Sequence, residues 1–189
     1  MPRRCVEFQA GCYYHIYNRG HNRQLIFFER DNYIYFLQKL RIYLIEKGKI
    51  EIIAYCLMPN HYHLLIHLKT PELSPFMQGL SLAYTKAINK RYERVGSLFQ
   101  GRFQAIHVDN EAYLAYLTRY IHLNPVAANL VSKAEDWEFS SYPEYANLRR
   151  GTLPQMERVR SQFPSMDDYR LFVEAQMNHS EIQRFTFDE

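Results

Sequence analysis

A chain of 189 residues carrying a net charge of +3 has room for one full hydrophobic core and too little length for two ordinary domains. With 47% hydrophobic residues it reads as a folded globular chain and not a disordered one, and no run approaches the roughly 18 apolar residues of a membrane-crossing helix. No long apolar run follows the two N-terminal arginines, so no secretory leader is expected there, and the three cysteines, Cys5, Cys12 and Cys56, have no paired spacing, so they read as reduced thiols of a cytoplasmic protein.

Residues 12–18 (CYYHIYN) form an aromatic, strand-like run closed by Arg19-Gly20. Residues 30–46 place Ile34, Leu37, Ile42 and Ile45 at roughly helical spacing, and Gly48 is a helix terminator. Residues 50–57 (IEIIAYCL) and 61–68 (HYHLLIHL) read as two strands joined by a turn at Pro59-Asn60. A second helix is predicted over 74–95, with Ser74 as its cap, Pro75 in the first helical position and Gly96 at its end. Residues 103–108 (FQAIHV) predict a fourth strand, and a third helix starts near Glu111 after Asp109 or Asn110 and runs to about Asn124. The order β-α-β-β-α-β-α is that of the ferredoxin-like split βαβ plan, an α+β fold with an antiparallel sheet and helices on one face. After Val131 the chain becomes turn-rich, and a last helical pattern near 166–177 offers Tyr169, Phe172 and Val173 as its apolar face. We therefore expect a core over 1–131 and an accessory region, 132–189, packed on it.

The sharpest chemical feature is His61-Tyr62-His63. On a strand, residues two apart share a face, so the two imidazoles project together and can share one divalent metal, while Tyr62, Leu64 and Ile66 point into a core. Read by itself, an HxH pair is also compatible with a hydrogen-bonded polar strand face. Tyr120 and Asn124 stand one helical turn apart, presenting a phenol and an amide on one side. Tyr113, Tyr116 and Tyr120 also fit an ordinary buried stripe, so spacing alone leaves the nucleophile open among the three, or none. Pro125 pushes Asn124 toward the edge of the regular helix. Two imidazoles and an amide leave coordination positions for a phosphate oxygen.

Positive charge clusters at Lys86, Lys90, Arg91, Arg94 and Arg102, and again at Arg3, Arg4, Arg19 and Arg23. A basic helix stripe is more often a solvated surface than a phosphate track. Phe99, Phe103 and the tyrosines are candidates for stacking on unpaired bases.

Several segments together resemble one family. MPNHYHLLI resembles the His–hydrophobic–His (HUH) motif with its Met-Pro-Asn lead-in. YHIYNRGHNRQLIF, GSLFQGRFQAIHVDNEAYL, RYIHLNPVAANLV and WEFSSYPEY resemble, in order, further blocks of the REP-associated tyrosine transposases. The resemblance implies metal binding by His61 and His63, attack by Tyr120 and a third, polar ligand from Asn124. It implies Mg²⁺ or Mn²⁺ as cofactor, single-stranded DNA with a palindromic hairpin as partner, a 5′-phosphotyrosine intermediate, and a monomer more readily than a homodimer. Two imidazoles by themselves favour Mn²⁺ or another transition ion over Mg²⁺. One departure is Ala127, where the family usually has Arg after Asn-Pro-Val. Two other readings compete: a non-catalytic single-stranded nucleic-acid-binding module on the same fold, which needs no metal, and a two-histidine-one-carboxylate oxygenase, which needs an acidic ligand that the sequence does not offer near the HxH pair.

Overall fold

A computed structural model describes residues 6–111 and 113–175. Four strands alternate with helices: β1 (Tyr13–Arg19), α1 (Arg30–Leu40), β2 (Ile50–Met58), β3 (His61–Leu68), α2 (Ser74–Arg91), β4 (Gln104–Val108) and α3 (Tyr113–Ala127). They are followed by the short helices α4 (Tyr142–Tyr145) and α5 (Glu157–Arg160), and by α6 (Met166–Glu174). The sheet order is β2-β3-β1-β4, and every pairing is antiparallel. This is the split βαβ arrangement of the ferredoxin-like plan.

Strand periodicity sorts the side chains into two cores. Tyr14, Ile16, Tyr62, Leu64 and Ile66 turn to one face, where Phe36 and Leu40 of α1 and Met77, Leu80, Tyr84 and Ile88 of α2 cover them. Both helices of the split βαβ unit thus lie on one face, as expected. The third helix does not join them. Leu114, Leu117 and Ile121 of α3 pack on the opposite face against Ile53, Ala54, Cys56 and Leu65, so the sheet is covered on both sides. A register shift between Ile52 and Ala54 in β2 puts Ile53 and Ala54 on this second face.

Several boundaries differ from expectation for local reasons. Regular α1 stops at Leu40, and Arg41–Ile45 winds into a wider turn closed by Glu46 N donating to Arg41 O at 3.0 Å. Ser74 is the first helical residue of α2, not its cap, and the helix ends at Arg91, short of Arg94. α3 runs through Pro125 to Ala127. The proline falls in the last turn, where few backbone bonds remain to be lost, and Asn129, at φ 55, takes the left-handed terminating conformation.

The described accessory residues run along the outer side of β2. Leu57 N donates to Phe139 O, Ser141 N to Tyr55 O and Gln155 N to Ile52 O, at 2.9, 2.9 and 2.7 Å. They satisfy an edge strand that would otherwise expose unpaired amides. Among the described residues no helix is long and apolar enough to cross a membrane.

Buried His122 ties α3 to this region, with Nδ1 2.8 Å from Tyr169 Oη and Nε2 2.8 Å from Ser141 Oγ. Burial pulls its pKa down to about 3, so it stays neutral in the fold. The unfolded chain protonates this group near its ordinary value, so unfolding takes up a proton below that pH. Stability should therefore fall by about 1.4 kcal/mol per pH unit as pH drops from about 6.5 toward about 3. Urea midpoints from pH 7 to 5 measure this, and His122→Gln should remove that part of the slope.

Candidate active site

The hairpin β2–β3 turns at Pro59-Asn60 and delivers His61 and His63 to the face that α3 covers. Both are buried, with ring centroids 5.0 Å apart and planes at 87°. Each ring has its Nδ1 engaged. Asn60 Nδ2 donates to Arg23 O at 3.3 Å, which turns Asn60 Oδ1 toward His61 Nδ1 at 2.7 Å. Because Oδ1 only accepts, His61 Nδ1 carries the proton and Nε2 carries the lone pair. His63 Nδ1 lies 2.9 Å from Nε2 of His15, a fully buried histidine on β1, and the two rings stack at 5.1 Å. Burial, then the neighbouring His15 and His61, hold the His63 pKa well below its ordinary range, so the ring is neutral and competent as a ligand.

Across this face stands α3. The ring of Tyr120 meets His63 edge-on at 5.7 Å between centroids and His15 at 6.3 Å. It is half-buried. Tyr116 instead packs on Phe172 at 5.4 Å, and Tyr113 lies nearly two turns before Tyr120, at the start of the helix. Asn124 is buried one turn beyond Tyr120 and donates its Nδ2 to Tyr120 O at 2.9 Å. That bond spends the amide nitrogen and leaves the oxygen as the ligating end. A second tyrosine shares the face: Tyr17 of β1 pairs with His63 in register, its ring 5.3 Å from His15 and 6.3 Å from His63. Burial raises its pKa, which the Arg19 charge partly offsets.

Neither His15 nor Tyr17 stands out in the sequence. The signal is strand parity: His15, Tyr17 and Arg19 alternate on β1, and Tyr17 and Arg19 pair with His63 and His61 of β3.

Among the described residues no three His, Cys, Asp or Glu side chains form a metal-binding group. A divalent ion here must complete its set with an amide, a hydroxyl or substrate oxygen. The two imidazoles, their Nδ1 atoms already engaged, and the Asn124 amide oxygen are donors of the types such an ion accepts.

The basic candidates are dispersed. Lys86 and Lys90 are exposed on α2, the helix on the other side of the sheet. Arg91 pairs with Glu29 at 2.6 Å and Asp31 at 3.7 Å, and the Arg94 guanidinium lies 5.3 Å from the Phe28 ring centre. Arg102 lines a groove beside α2 with Phe99 and Phe103. Those two phenylalanines are buried in the core and do not present faces for stacking bases. Arg3 and Arg4 lie outside the described residues. Of the basic residues considered, Arg19 and Arg23 line a cleft with His61. Ala127 is exposed in the last turn of α3.

The chain is similar to several known proteins. A curated protein of Haemophilus influenzae, named "Putative REP-associated tyrosine transposase", is 29% identical over 111 residues, 51% of this chain and 61% of that protein. The aligned part therefore spans less than two thirds of that relative. A solved structure described as a REP-associated tyrosine transposase bound to a REP hairpin superposes with a TM-score of 0.65 over 84% of this chain and 96% of the other, at 17% identity, a likeness of fold. The pattern of the family described as "Transposase IS200 like" matches residues 8–124, which hold the histidine pair, the tyrosine opposite it and Asn124. The chain belongs to the IS200-like transposase family.

Proposed function

We propose that this protein cuts and rejoins single-stranded DNA at repeat hairpins through a 5′-phosphotyrosine link. The observation that carries the reading is the 5.7 Å approach of the Tyr120 ring to the His63 ring, between a helix and a strand that are distant in sequence. The hairpin as target is inferred from what the similar solved protein is described as binding.

In the first step Tyr120 Oη attacks phosphorus, the bond from phosphorus to the 3′ oxygen breaks, and the leaving 3′ oxygen takes up a proton as the phenol loses one. The 5′ end stays on the tyrosine. In the second step a 3′ hydroxyl attacks the same phosphorus and the phenol is regenerated, so the broken bond's energy is conserved without ATP. A phenol with a pKa near 10 needs help to do this at neutral pH. A divalent ion, Mg²⁺ or Mn²⁺, held by His61, His63 and the Asn124 oxygen, would supply charge neutralisation at the phosphate. The chain's own contribution is position. Asn60 fixes the tautomer of His61, and the sheet holds His63 opposite Tyr120.

With Nε2 as the ligating atom, His63 Nδ1 carries the proton and donates to His15 Nε2, 2.9 Å away, so His15 orients His63 in the same way. His15→Phe keeps a ring in that space and removes the acceptor. It should weaken Mn²⁺ binding, measured by calorimetry without DNA, by about 10- to 100-fold. Unchanged Mn²⁺ affinity would remove His15 from this role.

The direct test is a labelled single-stranded hairpin with Mn²⁺, run on a denaturing gel. A shifted band that survives denaturation is expected. Tight binding with no such band would favour the non-catalytic binding module.

A further inference from the structure

Between α1, with the wide turn that follows it, and the chain after α4 lies a groove of about 560 Å³, well within the size of ligand sites. It shares no lining residue with the cleft at His61, and α1 covers the sheet face opposite to the one that carries α3. Leu37 and Ile42 supply apolar wall from the helix side and Leu153 from the other. Ile42 is 43% exposed, and Leu148, next in the chain to a lining residue, is 53% exposed. Arg41 and Ile42 both come from the wide turn Arg41–Ile45, a kind of helix irregularity that recurs at functional sites.

The floor of the groove is fixed. Buried Glu144 accepts from Arg149 Nη2 at 2.6 Å, and Arg149 also donates to Glu138 O at 2.6 Å, Ser140 O at 2.7 Å and Tyr55 Oη at 3.2 Å. Gly151 packs so closely that a side chain there would strike the Glu144 carboxylate. Arg149 is thus committed to the fold. Two further guanidinium groups in the lining are not. Half-buried Arg41 spends one nitrogen on Thr152 Oγ1 at 2.9 Å, and Arg150 is exposed. Among the described residues neither forms an ion pair, and neither does Glu46, which lines the same groove. The groove therefore presents uncompensated positive charge beside an apolar wall.

We infer that this groove holds a short acidic peptide segment of a partner protein, an apolar side chain on Leu37, Ile42 and Leu153 and a neighbouring carboxylate on Arg41 and Arg150. Charge complementarity selects the carboxylate, because guanidinium forks match it in geometry. A nucleic-acid strand fits poorly. Glu46 repels phosphates, and Tyr55, the aromatic ring of the described lining, is buried with its hydroxyl on Arg149, so it offers no face to a base. A small acid would leave exposed Ile42 and Leu148 uncovered. The inference stands apart from the strand-cleaving reading, since the groove and Tyr120 lie on opposite faces of the sheet.

The test uses the full chain in EDTA on an array of acetylated, amidated octapeptides. Their background is Gly and Ser, and two adjacent positions run through all pairs of residues. Retained pairs are expected to join Asp or Glu to Leu, Ile, Met or Phe. In solution, by fluorescence anisotropy, replacing the acid of the best peptide with its amide should weaken binding by about fivefold or more. In Arg41→Gln/Arg150→Gln the acid and amide peptides should bind within about twofold of each other, whereas Ile42→Ser should lose the apolar preference and keep the acidic one. Should the double variant unfold, Arg150→Gln alone, a change at an exposed side chain, should at least halve the preference for the acid. An array with no enriched pair, or preferences unchanged in the variants, overturns the inference. Displacement of the best peptide by a single-stranded oligonucleotide would give the groove to nucleic acid, and binding of octanoate without any enriched peptide would make it a small-acid site; either result overturns the peptide as well.

Discussion

Tyr120→Phe is expected to abolish covalent capture of DNA, lowering adduct formation by at least about 10³-fold, while hairpin affinity changes by no more than about twofold. The substitution deletes one oxygen. The phenyl ring keeps the edge-on packing against His63 and His15 and the half-buried place in α3. A nucleophile has no partial substitute, so the loss is large, whereas binding draws on contacts spread over a wider surface. The measurement is a denaturing gel paired with anisotropy on the same preparation. Undiminished adduct in the variant would move the nucleophile elsewhere. Geometry names Tyr17 as the first candidate, at 6.3 Å from the His63 ring, ahead of Tyr116 and Tyr113.

His61→Ala and His63→Ala should both reduce Mn²⁺- or Mg²⁺-supported cleavage by about 100-fold or more, and they should differ in what they do to the fold. His61 sits at the wall of the cleft beside Arg19 and Arg23, and its loss opens to that space. His63 is fully buried between His15, His61 and Tyr120. Its removal leaves a void and strips His15 of a partner, a cost of about 2–4 kcal/mol. Urea unfolding without metal should therefore separate the variants, with His61→Ala near the parent and His63→Ala well below it. Calorimetry should find weakened Mn²⁺ binding in both. Parent-level cleavage with both histidines replaced would take metal out of the reaction.

Much of this was legible before any coordinates. The alternation in HYHLLIHL placed His61 and His63 on one face and Tyr62, Leu64 and Ile66 on the other, because a strand's period admits one outcome once one side is buried. What failed was positional. The face of the sheet chosen by α3 is set by the crossover after β4 and by the apolar surface of β2, and neither leaves a mark within the helix itself. The basic stripe on α2 keeps Lys86 and Lys90 but loses Arg94, which lies beyond the helix end at Arg91, and a helical face carries no label saying which side of the sheet it serves. Phe99 and Phe103 looked free to stack because aromatic side chains suit both cores and base platforms. Nothing in β1 alone marks His15 and Tyr17, because their significance lies in register with β3, a property of two strands and not of one.

The tether between α3 and the C-terminal segment has a consequence for aim. Arg119, next to the tyrosine in sequence, donates to the carbonyls of Val173 and Ala175, and His122 grips Tyr169 and Ser141. The helix is thereby braced like a gun barrel in its mounting. Slackness introduced at 141 or 169, far along the chain from the cleft, would travel down one stiff rod and arrive at the phenol as a change of bearing.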